Sequence, residues 1–146
     1  MKKLVIALVA ALGLASAVFA QGMPAPADAR VYFVNLEDGD TVSAPVTVIF
    51  GLEGMGVAPA GTEADNTGHH HLLLNRPPLG DGPDGAEELQ YGLPADDNHI
   101  HFGGGQTQVT LDLEPGQHTM QLVLGDLNHV PHSPPVTTEV ITITVE

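Results

Sequence analysis

The chain has 146 residues, with 18 acidic against four basic residues, a formal charge of −14 at neutral pH and no cysteine. Such an acidic chain repels nucleic acid and anionic lipid and attracts cations. Without cysteine it has neither a disulfide nor a thiolate metal site, so any metal ion must be held through nitrogen and oxygen.

In chain order, Met1-Lys2-Lys3 is a short positive start, Leu4 to Val18 is an almost unbroken apolar run, and Val18-Phe19-Ala20 carries small residues at the two positions a signal peptidase reads. This is the pattern of a secretory signal over residues 1–20, too short for a retained membrane span. Cleavage after Ala20 predicts a periplasmic or secreted protein with no membrane segment. Lys2 and Lys3 leave with the signal, and only Arg30 and Arg76 then oppose the acidic residues. Residues 21–30 read as a Pro/Ala linker and 31–146 as one domain.

Within that domain, Val31 to Val34 reads as a strand and Glu37 to Asp40 as a turn, since Asp-Gly tolerates a tight reversal. Pro45 to Leu52 alternates, with Val46, Val48, Phe50 and Leu52 in phase. The histidine stretches 69–74 and 99–102 also read as strands. Thr107 to Leu113, His118 to Leu124 and Thr137 to Val145 alternate in the same way, with a turn at Glu114 to Gln117. Short strands separated by turn signals, with at most a helical turn at Ala86 to Gln90, predict an all-β fold, an antiparallel β-sandwich of immunoglobulin-like or cupredoxin-like type. Two long loops, 53–68 and 75–98, flank the histidine strands. Loops of that length in a small domain usually serve function.

All but one of the eight histidines lie in three stretches, His69-His70-His71, His99-Ile100-His101 and His129-Val130-Pro131-His132. Alternate residues of a strand share a face, so His99 and His101 project together at a spacing of roughly 6.5–7 Å. If Leu72 and Leu74 are core, His70 points inward with them, and His69 and His71 point the other way, sharing their face with Leu73. Were the two strands neighbours, His69, His71, His99 and His101 would make one patch. His129 and His132 sit among prolines that pre-set the backbone, and they either complete that site or form another. His118 shares parity with Met120 and Leu122 and reads as a core histidine satisfied by a backbone or carboxylate partner.

Imidazole is the commonest protein ligand for borderline metal ions, and all-nitrogen sets suit Cu(II), Zn(II) or Ni(II). The candidate ligands are therefore His69, His71, His99, His101, His129 and His132, and the expected ion is divalent copper or zinc. Asp96 and Asp97 either orient an imidazole from outside the ligand set or are solvated turn residues. Because ligand imidazoles must be neutral, affinity is expected to fall as pH drops from about 7 to about 5.

Other chemistry finds little support. Neither Ser43 nor Ser133 sits in a nucleophile-elbow setting. The stretch Asp81 to Gly85 is too short for a calcium loop, and Gly103-Gly104-Gly105 does not open a helix as a phosphate cradle would.

The segments Gly51 to Gly61, Thr67 to Leu74 (TGHHHLLL), His99 to Thr107 (HIHFGGGQT), Pro115 to Leu122 and His129 to Val136 (HVPHSPPV) are together similar to a bacterial secreted family catalogued as Domain of Unknown Function four-three-nine-nine. The resemblance covers nearly all of the chain after residue 20. It implies a single exported β-domain whose pattern centres on these histidines, and it carries no activity to transfer.

The sequence thus reads as an exported domain that binds copper or zinc for metal handling. Against this stands a non-catalytic immunoglobulin-like interaction module whose histidines form a structural or pH-sensing network. A histidine-metal enzyme would need an open coordination position, which a sequence does not reveal. The protein partner stays open in either case.

Overall fold

The computed structural model describes residues 22–146, so the signal expected over residues 1–20 lies outside the described residues. Its elements are β1 (Arg30–Phe33), β2 (Thr41–Val42), β3 (Val46–Glu53), β4 (Gly56–Val57), β5 (Thr67–Leu74), α1 (Gly85–Tyr91), β6 (His99–His101), β7 (Gln108–Leu111), β8 (Gly116–Gly125) and β9 (Ile141–Val145). A three-stranded sheet has the order β1-β3-β7, and a six-stranded sheet the order β2-β9-β8-β5-β4 with β6 also on β5. Most pairs are antiparallel. The exceptions are the two-residue strands β2 and β4, which run parallel to β9 and β5.

Alternation along the strands fixes what lies between the sheets. Val46, Val48 and Phe50 of β3 face Leu72 and Leu74 of β5, Met120, Leu122 and Leu124 of β8, and Ile143 and Val145 of β9. Phe102 closes this core beside Phe50, with ring centroids 4.7 Å apart. The expected β-sandwich is therefore present.

The odd-numbered residues of β5 point to the outer face of the large sheet, and that face is covered too. Leu73 packs with Val123, Leu93 and Leu79 in a second, smaller apolar cluster. The 75–98 loop supplies Leu79 and Leu93, and with them a roof over β5 and β8. This is why β5 is buried on both faces from Gly68 to Leu74, as a strand roofed on its outer side must be.

The stretch read as a Pro/Ala linker, 21–30, makes ordered contacts at residues 22–24: Pro24 bridges to Ser133, and Met23 N–H donates to Asp126. No helix among the described residues is long and apolar enough to cross a membrane.

Candidate metal centre

Two strands and one loop bring four imidazoles together. In the β5–β6 ladder His71 is the direct partner of His101. Side-chain parity puts His69 one step along the same face. His129 arrives from the loop after β8. One nitrogen from each of His69, His71, His101 and His129 lies within 4.8 Å of all the others. His69 and His71 are fully buried although they stand on the sheet's outer face, while His101 and His129 are half-buried and form the side nearest solvent.

The ring contacts are close. His71 Nε2 lies 3.0 Å from His69 Nε2, which in turn lies 3.1 Å from His129 Nδ1. A neutral imidazole nitrogen has either one N–H or one lone pair. His69 Nε2 is therefore unable to make a well-directed hydrogen bond to both neighbours at once. His101 Nε2, His69 Nδ1 and His71 Nδ1 are buried with no hydrogen-bond partner. At the centre of the cluster His69 Nε2 is shared between two neighbours and His101 Nε2 has no partner, so these nitrogens could be taken up by a central cation.

The dimensions fit that use. Nitrogens bound to one ion at about 2.0–2.1 Å stand about 3.3 Å apart at the tetrahedral angle and about 2.9 Å apart at a right angle. The 3.0 and 3.1 Å separations fall in that interval, and all four nitrogens lie within 4.8 Å of one another. The backbone leaves room for it. A Cβ on Gly125 would lie 2.7 Å from His71 Nε2, so only glycine leaves that space beside the rings.

The electrostatics agree with neutral rings. Burial, and then the neighbouring imidazoles of His101 and His129, push His69 down from the ordinary histidine value to about 4. Burial and the same kind of crowding take His71 to about 2. His101 is lowered too, by burial and by His129. Burial and crowding therefore favour the neutral form of His69, His71 and His101, with lone pairs available to a metal.

Asp126 shapes the loop that presents His129. Its buried carboxylate accepts Asn128 N–H at 2.8 Å and Val130 N–H at 3.1 Å, and its carbonyl accepts His129 N–H at 3.0 Å. His129 sits in this turn with φ +68°, a left-handed conformation uncommon for a residue with a side chain. In the sequence Asp126 looks like one more turn residue, and only the fold shows what it holds.

The remaining sequence candidates are placed elsewhere. His99 shares the face of His101, as strand parity predicts, but it turns into a separate polar network. Its Nδ1 pairs with Asp96 at 2.8 Å, and its Nε2 faces Glu88 at 3.0 Å and the Arg76 guanidinium. Both nitrogens are engaged, and the adjacent cation repels a metal ion. His99 is therefore not part of the four-histidine group. Asp96 accordingly orients His99 and not a ligand of the cluster. Glu88 is almost wholly buried, and the Arg76 and His99 hydrogen bonds hold its carboxyl below the usual range against the opposing effect of burial. This network opens on a pocket of about 260 Å³ walled by the 75–98 loop.

His132 is also separate. Its two nitrogens face the carbonyl oxygens of Leu124 and Thr67, each at 3.2 Å, so it ties the loop to the sheet. His70 points into the sandwich, 5.1 Å from the Phe50 ring, with neither nitrogen hydrogen-bonded. His118 is half-buried, not core. Its Nε2 donates to Glu114 carbonyl at 2.8 Å and its Nδ1 accepts from Asn75 at 2.9 Å, which satisfies it without a metal.

Comparison with known proteins yields one family, described as Domain of unknown function (DUF4399), which matches residues 48–146. No curated protein and no solved structure matches the chain. The matched span contains β5, β6 and the loop after β8, and so all four clustered histidines.

Proposed function

The chain belongs to the DUF4399 family, and we propose that it is an exported binder of a divalent transition metal, copper or zinc, working in the periplasm or outside the cell in metal buffering or delivery. One observation carries this reading: four imidazoles converge with one nitrogen of each within 4.8 Å of the others, and His69 Nε2 faces two neighbours although it can pair with only one. His69, His71, His101 and His129 would hold the ion. An all-imidazole set without thiolate suits Cu(II) or Zn(II) over Cu(I) or the hard cations. A chain this acidic would raise the local concentration of the cation it binds. Export is supported by the apolar run after Lys3 and by the family resemblance.

The test is the mature protein made without a histidine tag, exported, purified and analysed by elemental mass spectrometry, with calorimetric titration of the metal-free form. One equivalent of copper or zinc is the expected result. A metal-free preparation that binds neither ion would leave the other reading, an interaction module with a histidine network. The hydrogen-bond-length contacts His71–His69–His129 favour that alternative to the extent that they are satisfied without an ion.

A further inference from the structure

Asp126 joins parts of the chain 103 positions apart. Oδ1 holds the turn that carries His129, through Asn128 N–H and Val130 N–H. Oδ2 accepts Met23 N–H at 3.1 Å. The segment Gly22–Pro24 is laid along the same loop as a strap: Ser133 N–H donates to Met23 carbonyl at 3.0 Å, and Pro24 bridges to Ser133. Gly22 is buried against Pro131 so tightly that a Cβ there would lie 1.8 Å from the Pro131 carbonyl oxygen.

We propose that this strap regulates the fourth ligand. With Gly22–Pro24 docked, Asp126 keeps His129 in the cluster; with it lifted, His129 leaves, and the metal passes to a three-imidazole state that gives it up. The inference rests on the metal-binding reading above. Three of the four ligands lie on hydrogen-bonded strands and stay where the ladder puts them. His129 alone depends on a loop, in a backbone conformation whose cost other contacts must offset. Asp126 supplies those contacts, and a buried carboxylate that loses a donor seeks water or another partner. Leu93 N–H still holds His129 carbonyl at 2.9 Å, so lifting the strap loosens the turn without unfolding the loop. A partner that binds the strap Gly22–Pro24 and lifts it thereby sets how firmly the ion is held.

Two strap variants test this. Gly22→Val places a side chain against the Pro131 backbone and blocks docking, whereas Met23→Pro removes the N–H that reaches Asp126 and keeps the Met23 carbonyl that accepts from Ser133. Zn(II) affinity is measured by competition with a chromophoric chelator for wild type, each strap variant, His129→Ala and the two double variants. The nitrogen count is read from electron paramagnetic resonance of the Cu(II) form. Each strap variant should weaken Zn(II) binding by roughly 10–100-fold, the usual effect of losing a group that orients a ligand, and should lower the nitrogen count from four to three. Neither should weaken binding further in the His129→Ala background. Equal losses with and without His129 would mean general destabilisation and would overturn the inference, as would strap variants that bind like wild type. A wild-type chain that binds neither Zn(II) nor Cu(II) overturns the metal reading and this inference together.

Discussion

His71 and His101 stack across the β5–β6 ladder, ring centroids 5.0 Å apart and planes 30° from parallel, because they are direct register partners. The ladder holds them in place whether or not an ion is present. His71→Ala or His101→Ala should therefore cost more affinity than the roughly 10–100-fold expected for an outer partner. His99→Ala and His132→Ala should leave affinity nearly unchanged, since both side chains are bound elsewhere. Calorimetric titration of the four variants checks this, and a large loss at His99 would contradict the assignment.

Gly125 tests the space beside the rings. Gly125→Ala puts a methyl group 2.7 Å from where His71 Nε2 stands, closer than atoms pack, so the ring must swing away. The expected outcome is a folded domain, by circular dichroism, with strongly reduced metal binding.

The metal-free protein should lose stability on mild acidification. An unfolded histidine titrates near 6.5, whereas His69 and His70 titrate at about 4 and His71 at about 2. Between those values the unfolded chain binds more protons than the folded one. Stability is therefore intact above about 6.5 and falls as pH drops toward about 4, by at most about 1.4 kcal/mol per pH unit for each such imidazole. Melting temperatures at pH 7 and pH 5 read this directly, and equal values would contradict buried neutral rings. The sequence-based expectation that affinity fails between about 7 and about 5 also shifts: His69 and His71 are still neutral at pH 5, so protons compete for them only at lower pH.

Arg76 and Glu88 form a pair with side chains only 9% and 2% exposed. Arg76→Met should destabilise the domain, by at most roughly 3–5 kcal/mol, because it leaves a buried carboxylate with only His99 and Gly80 N–H as partners, and Arg76→Met with Glu88→Leu should recover most of that. Chemical denaturation of the single and double variants is the measurement.

His70 makes no hydrogen bond in the core. His70→Leu removes two unsatisfied nitrogens and fills a similar volume beside Phe50 and Phe102. It should leave stability unchanged or raise it, by up to about 1–3 kcal/mol, with metal affinity intact. A large loss of affinity would show that the two faces of β5 are not independent.

Much of this was legible in the residues. Period-two alternation at Val46–Phe50 and Met120–Leu124 located the core strands, and the same parity sorted His70 from His69 and His71. Leu73 sits awkwardly on the histidine face in the sequence, and only the fold supplies its partners, Leu79 and Leu93 from the 75–98 loop. What parity does not give is where a side chain goes after it leaves the strand. His99 and His101 share a face, yet Arg76 and Glu88 from a distant loop capture His99. Asp126 was invisible for a related reason, since its partners lie at Met23 and around His129 and only folding brings them together. The short strands β2 and β4 left no signal because two residues carry no period.

Strand β5 works with both of its surfaces. Leu72 and Leu74 hold the sandwich together from one side, while His69 and His71 carry two of the four clustered imidazoles on the other. The two tasks meet only through the backbone between them. Substitutions between the sheets can therefore retune how hard the domain is to unfold while the histidine cluster keeps its shape, and changes in the roof of loops can retune the cluster while the sandwich keeps its strength.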